Sequence, residues 1–150
     1  MSTSAASKVE KQEFAGQFMA LVDSGQTYDC HLTGDRSILS NVQPADEAVR
    51  YADGQTHNMT LRGTVRASMM DTNGVWHYFG LEVGFVEGMC GTLLSTNRLA
   101  SCGIGFDTLS RQLYFDDVRF QADGFNNLQC RLVDAEEWQR SPAPRPSSWL

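Results

Sequence analysis

Two adjacent stretches of strict alternation constrain this chain most. In residues 59–69, Met59, Leu61, Gly63, Val65, Ala67 and Met69 alternate with Thr60, Arg62, Thr64, Arg66 and Ser68. In residues 75–86, Val75, His77, Phe79, Leu81, Val83 and Phe85 alternate with Trp76, Tyr78, Gly80, Glu82 and Gly84. A period of two sends successive side chains to opposite faces, so each stretch predicts a strand with one buried face. Asp71-Thr72-Asn73-Gly74 joins them. A two-residue Asn-Gly turn would set Arg66 opposite Leu81 and mix the faces. A three-residue loop, Thr72–Gly74, with Gly74 left-handed in a bulge, sets Val65 opposite Leu81, Ala67 opposite Phe79 and Leu61 opposite Phe85. Register follows the buried face, so the bulged turn is predicted.

Further strands are predicted at about residues 89–95, 98–106, 112–120 and 127–133, separated by turn residues. Tyr28, Cys30 and Leu32 share one face of an earlier short strand, and Ser37–Val42 reads as another. Glycine recurs inside the predicted strands, at 63, 80, 84, 88, 91, 103 and 105. In a coiling sheet glycine permits close approach, which favours a barrel over a sandwich. The expected fold is all-β: a small antiparallel β-barrel of six or more strands with an N-terminal α-helix packed on it. That helix is predicted over residues 7–24. Ser7-x-x-Glu10 forms a capping box, Phe14, Phe18, Leu21 and Val22 form a stripe, and Gly25 suits the C-terminal turn. A helix that binds a partner would carry the same stripe. Pro44, at a first-turn position, predicts a second short helix over residues 44–51. The domain plan is a disordered stretch 1–6, one domain 7–138, and a proline-rich tail 139–150. The tail reads as an extended terminus or as a peptide ligand for another domain.

The chain has 150 residues and a net charge of −6. Its length suits one domain able to bury a sizeable core. Lysine occurs only at Lys8 and Lys11 and the arginines are scattered, which argues against nucleic acid and against an acidic membrane surface as partners. The start lacks the apolar core of a secretory signal, and no run is long enough to span a membrane, so a cytoplasmic location is expected. Cys30, Cys90, Cys102 and Cys130 are then reduced by default, and the sequon Asn58-Met59-Thr60 carries little weight.

No metal or cofactor is expected. His31, His57 and His77 have no partner histidine at ligand spacing, and no Cys-x-x-Cys occurs. Gly103-Ile104-Gly105 lacks the third glycine of a dinucleotide loop and the helix that must follow it. Asp116-Asp117 sits between two strand halves; adjacent strand residues face opposite ways, so it reads as strand-end charge rather than a carboxylate dyad. Asn97 at a hairpin turn would set Cys90 opposite Cys102, as two small buried side chains or a cross-strand disulfide.

The candidate ligand-binding residues are Trp76, Tyr78, His77, Phe79, Glu82 and Arg66. His77 lies on the apolar face opposite Met69, and it is the best candidate catalytic group, since its ordinary pKa suits acid–base work. As an alternative it is a satisfied core residue. Glu82 lies across from Thr64 with Arg62 and Arg66 diagonal to it, either as an ion pair on a solvated face or as a ligand contact. Trp76 and Tyr78 on that face suit a cover for the helix, a homodimer interface or a recognition patch. Three functions remain open. The first expectation is binding of a small apolar or amphipathic molecule without covalent chemistry. The second is a protein–protein interaction module of adaptor, inhibitor or immunity type. The third is a metal-independent isomerase or cyclase acting inside the barrel.

Overall fold

The computed structural model describes residues 16–23, 29–51, 53–141 and 150. Among them are ten strands: β1 Gln17–Asp23, β2 His31–Thr33, β3 Ser40–Arg50, β4 Thr56–Met70, β5 Trp76–Val86, β6 Thr92–Ser95, β7 Gly105–Asp107, β8 Gln112–Phe115, β9 Val118–Gln121 and β10 Asn127–Leu132. Two short helices accompany them, α1 Thr96–Ser101 and α2 Ala135–Arg140, with one 3₁₀ turn at Arg36–Ile38.

The β4–β5 hairpin has the bulged register. Val65 pairs with Leu81, Ala67 with Phe79, Leu61 with Phe85 and Met70 with Trp76. Gly74 has φ +82, the left-handed conformation that closes this turn without a Cβ penalty. The Asp71 carboxylate organises the loop by accepting from the backbone N–H groups of Asn73 at 2.8 Å and Val75 at 2.9 Å. The apolar face of the hairpin is buried at Val65, Ala67, Met69, Phe79, Leu81 and Val83. At the far end of the ladder Met59 lies over Gly84, where any side chain would collide with the Met59 sulfur.

One sheet takes the order β10-β1-β6-β2-β5-β4-β3, and β10 also pairs with β4 through Arg131↔Ser68 and Leu132↔Ala67. Hydrogen-bonded neighbours therefore run through six strands and return to β4, where β10 at Ala67–Ser68 and β3 at Thr56–Thr64 share the edge opposite β5. The predicted purely antiparallel sheet is corrected: β1 pairs parallel with β6, and β2 parallel with β5. A second sheet, β7-β8-β9, lays Phe115 and Phe120 edge-on against Phe79, with ring centroids 6.3 and 5.5 Å away. These rings join the main core. A smaller apolar cluster of Cys30, Leu32, Val49, Met59 and Val86 sits under the β3–β4 hairpin.

Four predicted elements differ. The N-terminal helix over 7–24 is not seen: residues 7–15 and Gly25 lie outside the described residues, and Gln17–Asp23 is strand β1. The same residues satisfy a period of two, with Ala20 and Val22 buried and Phe18 packed against the core. Partners on both sides, β10 and β6, decide between the two periods. The helix at Pro44 is strand β3. A proline without an N–H is tolerated there because β3 is an edge strand, and register shifts flank the position. The hairpin over 89–106 does not form, because Thr96–Ser101 is a helix. Ser95 caps it by accepting from Arg98 N–H at 3.1 Å, and Leu99 anchors it in the core. With that hairpin absent, the pairing of Cys90 with Cys102 falls away; both are free, Cys90 is exposed and Cys102 half-buried. The single strand predicted over 112–120 is instead an antiparallel hairpin of β8 and β9, with Asp116-Asp117 as its turn and Asp116 at φ 47.

His31 is fully buried on β2, and its Nδ1 accepts from Ser95 N–H at 2.9 Å. Burial pushes the imidazole down to about 3, and the Arg98 charge adds to that. A histidine held neutral in the fold but free to charge when unfolded contributes stability that is complete above about pH 6.5 and is lost as pH falls toward 3. Urea unfolding of the wild-type chain should therefore weaken across that window by up to ~1.4 kcal/mol per pH unit more than His31→Asn, which keeps an acceptor for Ser95. Equal pH slopes in the two proteins would contradict the buried neutral assignment.

Candidate interaction site

The open end of the β4–β5 ladder leaves apolar side chains in water. Met70 and Trp76 are the last cross-strand pair, Val75 adjoins them, and the three are 48%, 42% and 53% exposed. Contiguous exposed apolar surface of this kind marks interaction sites. Trp76 is held from one side, because the Arg131 guanidinium lies 5.1 Å from its ring centroid.

Arg131 is itself fixed by α2. Asp134 caps that helix, accepting from Glu137 N–H at 2.7 Å, which brings Glu137 over the sheet. Arg131 donates to both Glu137 carboxylate oxygens, at 2.8 and 2.6 Å, the bidentate geometry of strong arginine–carboxylate pairs. The Tyr78 hydroxyl donates to the same carboxylate at 2.8 Å. The guanidinium, followed by the tyrosine hydroxyl, holds the Glu137 carboxyl at about 2 against an ordinary 4.5. Reciprocally, Glu137 raises both Arg131 and Tyr78. Beside this network lies a surface cleft of about 380 Å³, lined by Arg66, Arg131, Glu137, Ser37 and Asp134 among others. Arg66 makes no ion pair among the described residues, and its Nε is buried there without a partner. The arrangement thus offers a fixed aromatic–arginine surface beside an arginine that makes no ion pair among the described residues.

The structure brings Trp76, Tyr78 and Arg66 to this face of the β4–β5 hairpin, and the helix that covers Tyr78 is C-terminal rather than N-terminal. Phe79 points the other way and is 0% exposed in the core. His77 sits beneath the turn: Nε2 is 2.8 Å from the Asp71 carboxylate, and its ring meets Phe115 and Phe120 edge-on. The His77 contact, with the turn N–H groups, holds the Asp71 carboxyl below its usual value. Glu82 pairs with Arg98 at 3.5 Å, whereas Arg62 turns to Glu47 at 3.0 Å and Asp29 at 3.4 Å. Glu82 and Arg62 line a second cleft of about 310 Å³ with Asn41 and Thr64. Among the described residues no group of acidic, histidine or cysteine side chains has the arrangement to hold a metal. Among the described residues no helix is long and apolar enough to cross a membrane.

Arg131 and Glu137 escaped the sequence reading. The signal was present in Asp134-x-x-Glu137, a capping pattern, but nothing in the sequence says which strand such a helix covers.

The described residues form a mostly β domain. Residues 20–104, 85 of the 150, match the family model described as "Pol polyprotein, beta-barrel domain", and the chain belongs to that family. The matched span includes Arg66, Trp76 and Tyr78, whereas Arg131, Glu137 and the β8–β10 strands lie beyond it. No curated protein and no solved structure matches the chain.

The Glu137 carboxyl should titrate with a midpoint near 2 when followed by NMR, and Arg131→Met should return it toward 4.5. The depressed value means that the network is complete above pH 4.5 and is lost as pH falls to about 2. An ordinary midpoint in the wild-type chain would dismantle the proposed network.

Proposed function

We propose that this domain is a protein–protein interaction module that docks partners on the Met70–Val75–Trp76 surface beside Arg131. The observation that carries the reading is an exposed tryptophan already immobilised by an arginine that α2 locks in place. Tryptophan, tyrosine and arginine dominate binding hot spots, and side chains fixed in advance lose little entropy on association. The partner chemistry follows from the neighbours. An apolar side chain suits Met70 and Val75, and a carboxylate suits Arg66 in the adjoining cleft. Membership in a family of Pol polyprotein domains supports the same reading, since a domain joined to others in one chain meets them through its surface. As part of this proposal the six-strand circuit of pairings is a small closed barrel, and the four free cysteines suit the reducing cytoplasm.

Binding of a small apolar molecule receives less support, because the inward side chains of β4 and β5 pack against Phe115, Phe120 and Leu128 in one apolar cluster. The clefts described above are lined mainly by polar and charged residues. The isomerase reading also has less support, since His77 is engaged by Asp71 and enclosed by two phenylalanines.

The test uses the full chain as bait in extract of its source cell, followed by affinity measurement with each purified partner. Trp76→Ala should weaken binding roughly thirtyfold, the scale of a hot-spot loss, and Arg66→Ser should weaken it less. Leu109→Ser, at a 94% exposed position on another loop, should bind as the wild type does. Partners that bind Trp76→Ala and Arg66→Ser with wild-type affinity would defeat the assignment.

A further inference from the structure

Strand β5 has two edges. β4 takes one along the hairpin, whereas on the other β2 pairs only with Val83, Gly84 and Phe85. Upstream of β2, among the described residues, Leu150 holds this edge. Its N–H donates to the Gly80 carbonyl at 2.7 Å, and its carbonyl accepts from Glu82 N–H at 2.7 Å. Two bonds that flank Leu81 in this way form a parallel bridge, so Leu150 continues the row of β2, which also runs parallel to β5. Its side chain is 1% exposed and belongs to the main core cluster with Leu81. A free strand edge with one acceptor, one donor and an apolar socket is the equipment of strand addition.

Nine residues, 141–149, lie between the end of α2 at Arg140 and Leu150, and Pro142, Pro144 and Pro146 among them carry no N–H to donate to a ladder. Two hydrogen bonds and one leucine side chain are the contacts of Leu150 that define the seat. Gly80 offers no side chain to obstruct an approaching backbone. The Glu82 carboxylate is drawn to Arg98, so the seat asks for no charge on its occupant.

We propose that the β5 edge at Gly80–Glu82 is a binding site for an extended peptide segment presenting a leucine, and that Leu150 occupies it as a displaceable intramolecular ligand. A tethered ligand acts at an effective concentration on the order of millimolar, so a free peptide is excluded until the tail leaves. This site is on the opposite edge of β5 from the β4 pairing and does not use Trp76, so it stands or falls independently of the interaction surface.

The probe is a fluorescent, C-terminally amidated peptide of residues 144–150, titrated by anisotropy into the full-length wild type, Leu150→Ala and Leu150→Asp. Leu150→Asp should bind at least tenfold more tightly than the wild type, with Leu150→Ala between them. A peptide with aspartate in place of its leucine should not bind. Hydrogen exchange at the Glu82 amide should be slow in the wild type, at least tenfold faster in Leu150→Asp, and slow again with peptide. Trp76→Ala combined with Leu150→Asp should bind the peptide as Leu150→Asp alone does. Equal binding to all three proteins, or a Glu82 amide that stays protected in Leu150→Asp, overturns the proposal. Unfolding of both Leu150 variants also overturns it, since a displaceable ligand requires a fold that survives its departure.

Discussion

Eleven cross-strand pairs run from Met59↔Val86 to Met70↔Trp76, and every other part of the structure is placed relative to that ladder. Its inner face supplies the floor of the core, against which the second sheet lays Phe115 and Phe120. Its outer face carries Arg66, Tyr78 and Trp76. Its edges receive β3 and β10 on β4, and β2 and Leu150 on β5. Because the side-chain period is two, a one-residue slip would expose Phe79 and Leu81 and bury Arg66 and Glu82. The turn prevents that slip. Gly74 takes the conformation that an L side chain resists, and the Asp71 carboxylate binds the loop from one side and His77 from the other.

This hairpin was legible because all of its signals are local: alternation along each strand, and a glycine and aspartate at the turn. The N-terminal strand was not. Phe18, Leu21 and Val22 fit a helical stripe, and Phe18, Ala20 and Val22 fit a strand equally well. Only the presence of β10 and β6 on its two sides separates them. Pro44 failed for a related reason. A proline opens helices and also occupies strand edges, and β3 becomes an edge only once the order of the sheet is known. At Thr96–Ser101 the Ser95 cap was a readable helix start, but the flanking turn residues and cysteines suggested a hairpin more strongly.

The interaction surface divides in the same way. Alternation alone put Trp76, Tyr78 and Arg66 on one face, and the structure keeps them there. What gives that face its character comes from sequence more than 50 residues away, since β10 carries Arg131 and α2 carries Glu137. The arginine has two roles that cannot be separated by inspection of either partner alone. It neutralises a carboxylate that would otherwise repel acidic groups, and it stacks on the tryptophan that an interface would bury. Arg66, in the same cleft, makes no ion pair among the described residues, and its buried Nε has no hydrogen-bond partner there.

Short strands pose a different physical problem from long ones. β2 has three residues and β6 has four, and they share only the pairs Leu32↔Leu93 and Thr33↔Thr92. An apolar pattern that brief cannot fix register, because alternative pairings bury nearly as much. Polar groups fix it instead. The Thr33 and Thr92 hydroxyls meet at 2.8 Å, and His31 Nδ1 takes the Ser95 N–H. Each is buried, so any slip would strand a donor or acceptor away from water. The same bond from Ser95 ties the end of β6 to the start of α1, whose capping hydroxyl belongs to that serine. Buried polar side chains in this domain therefore act as register pins where the chain is too short for hydrophobic pairing to do so. That is why the histidine with the lowest accessibility is tied to the fold rather than to the surface chemistry.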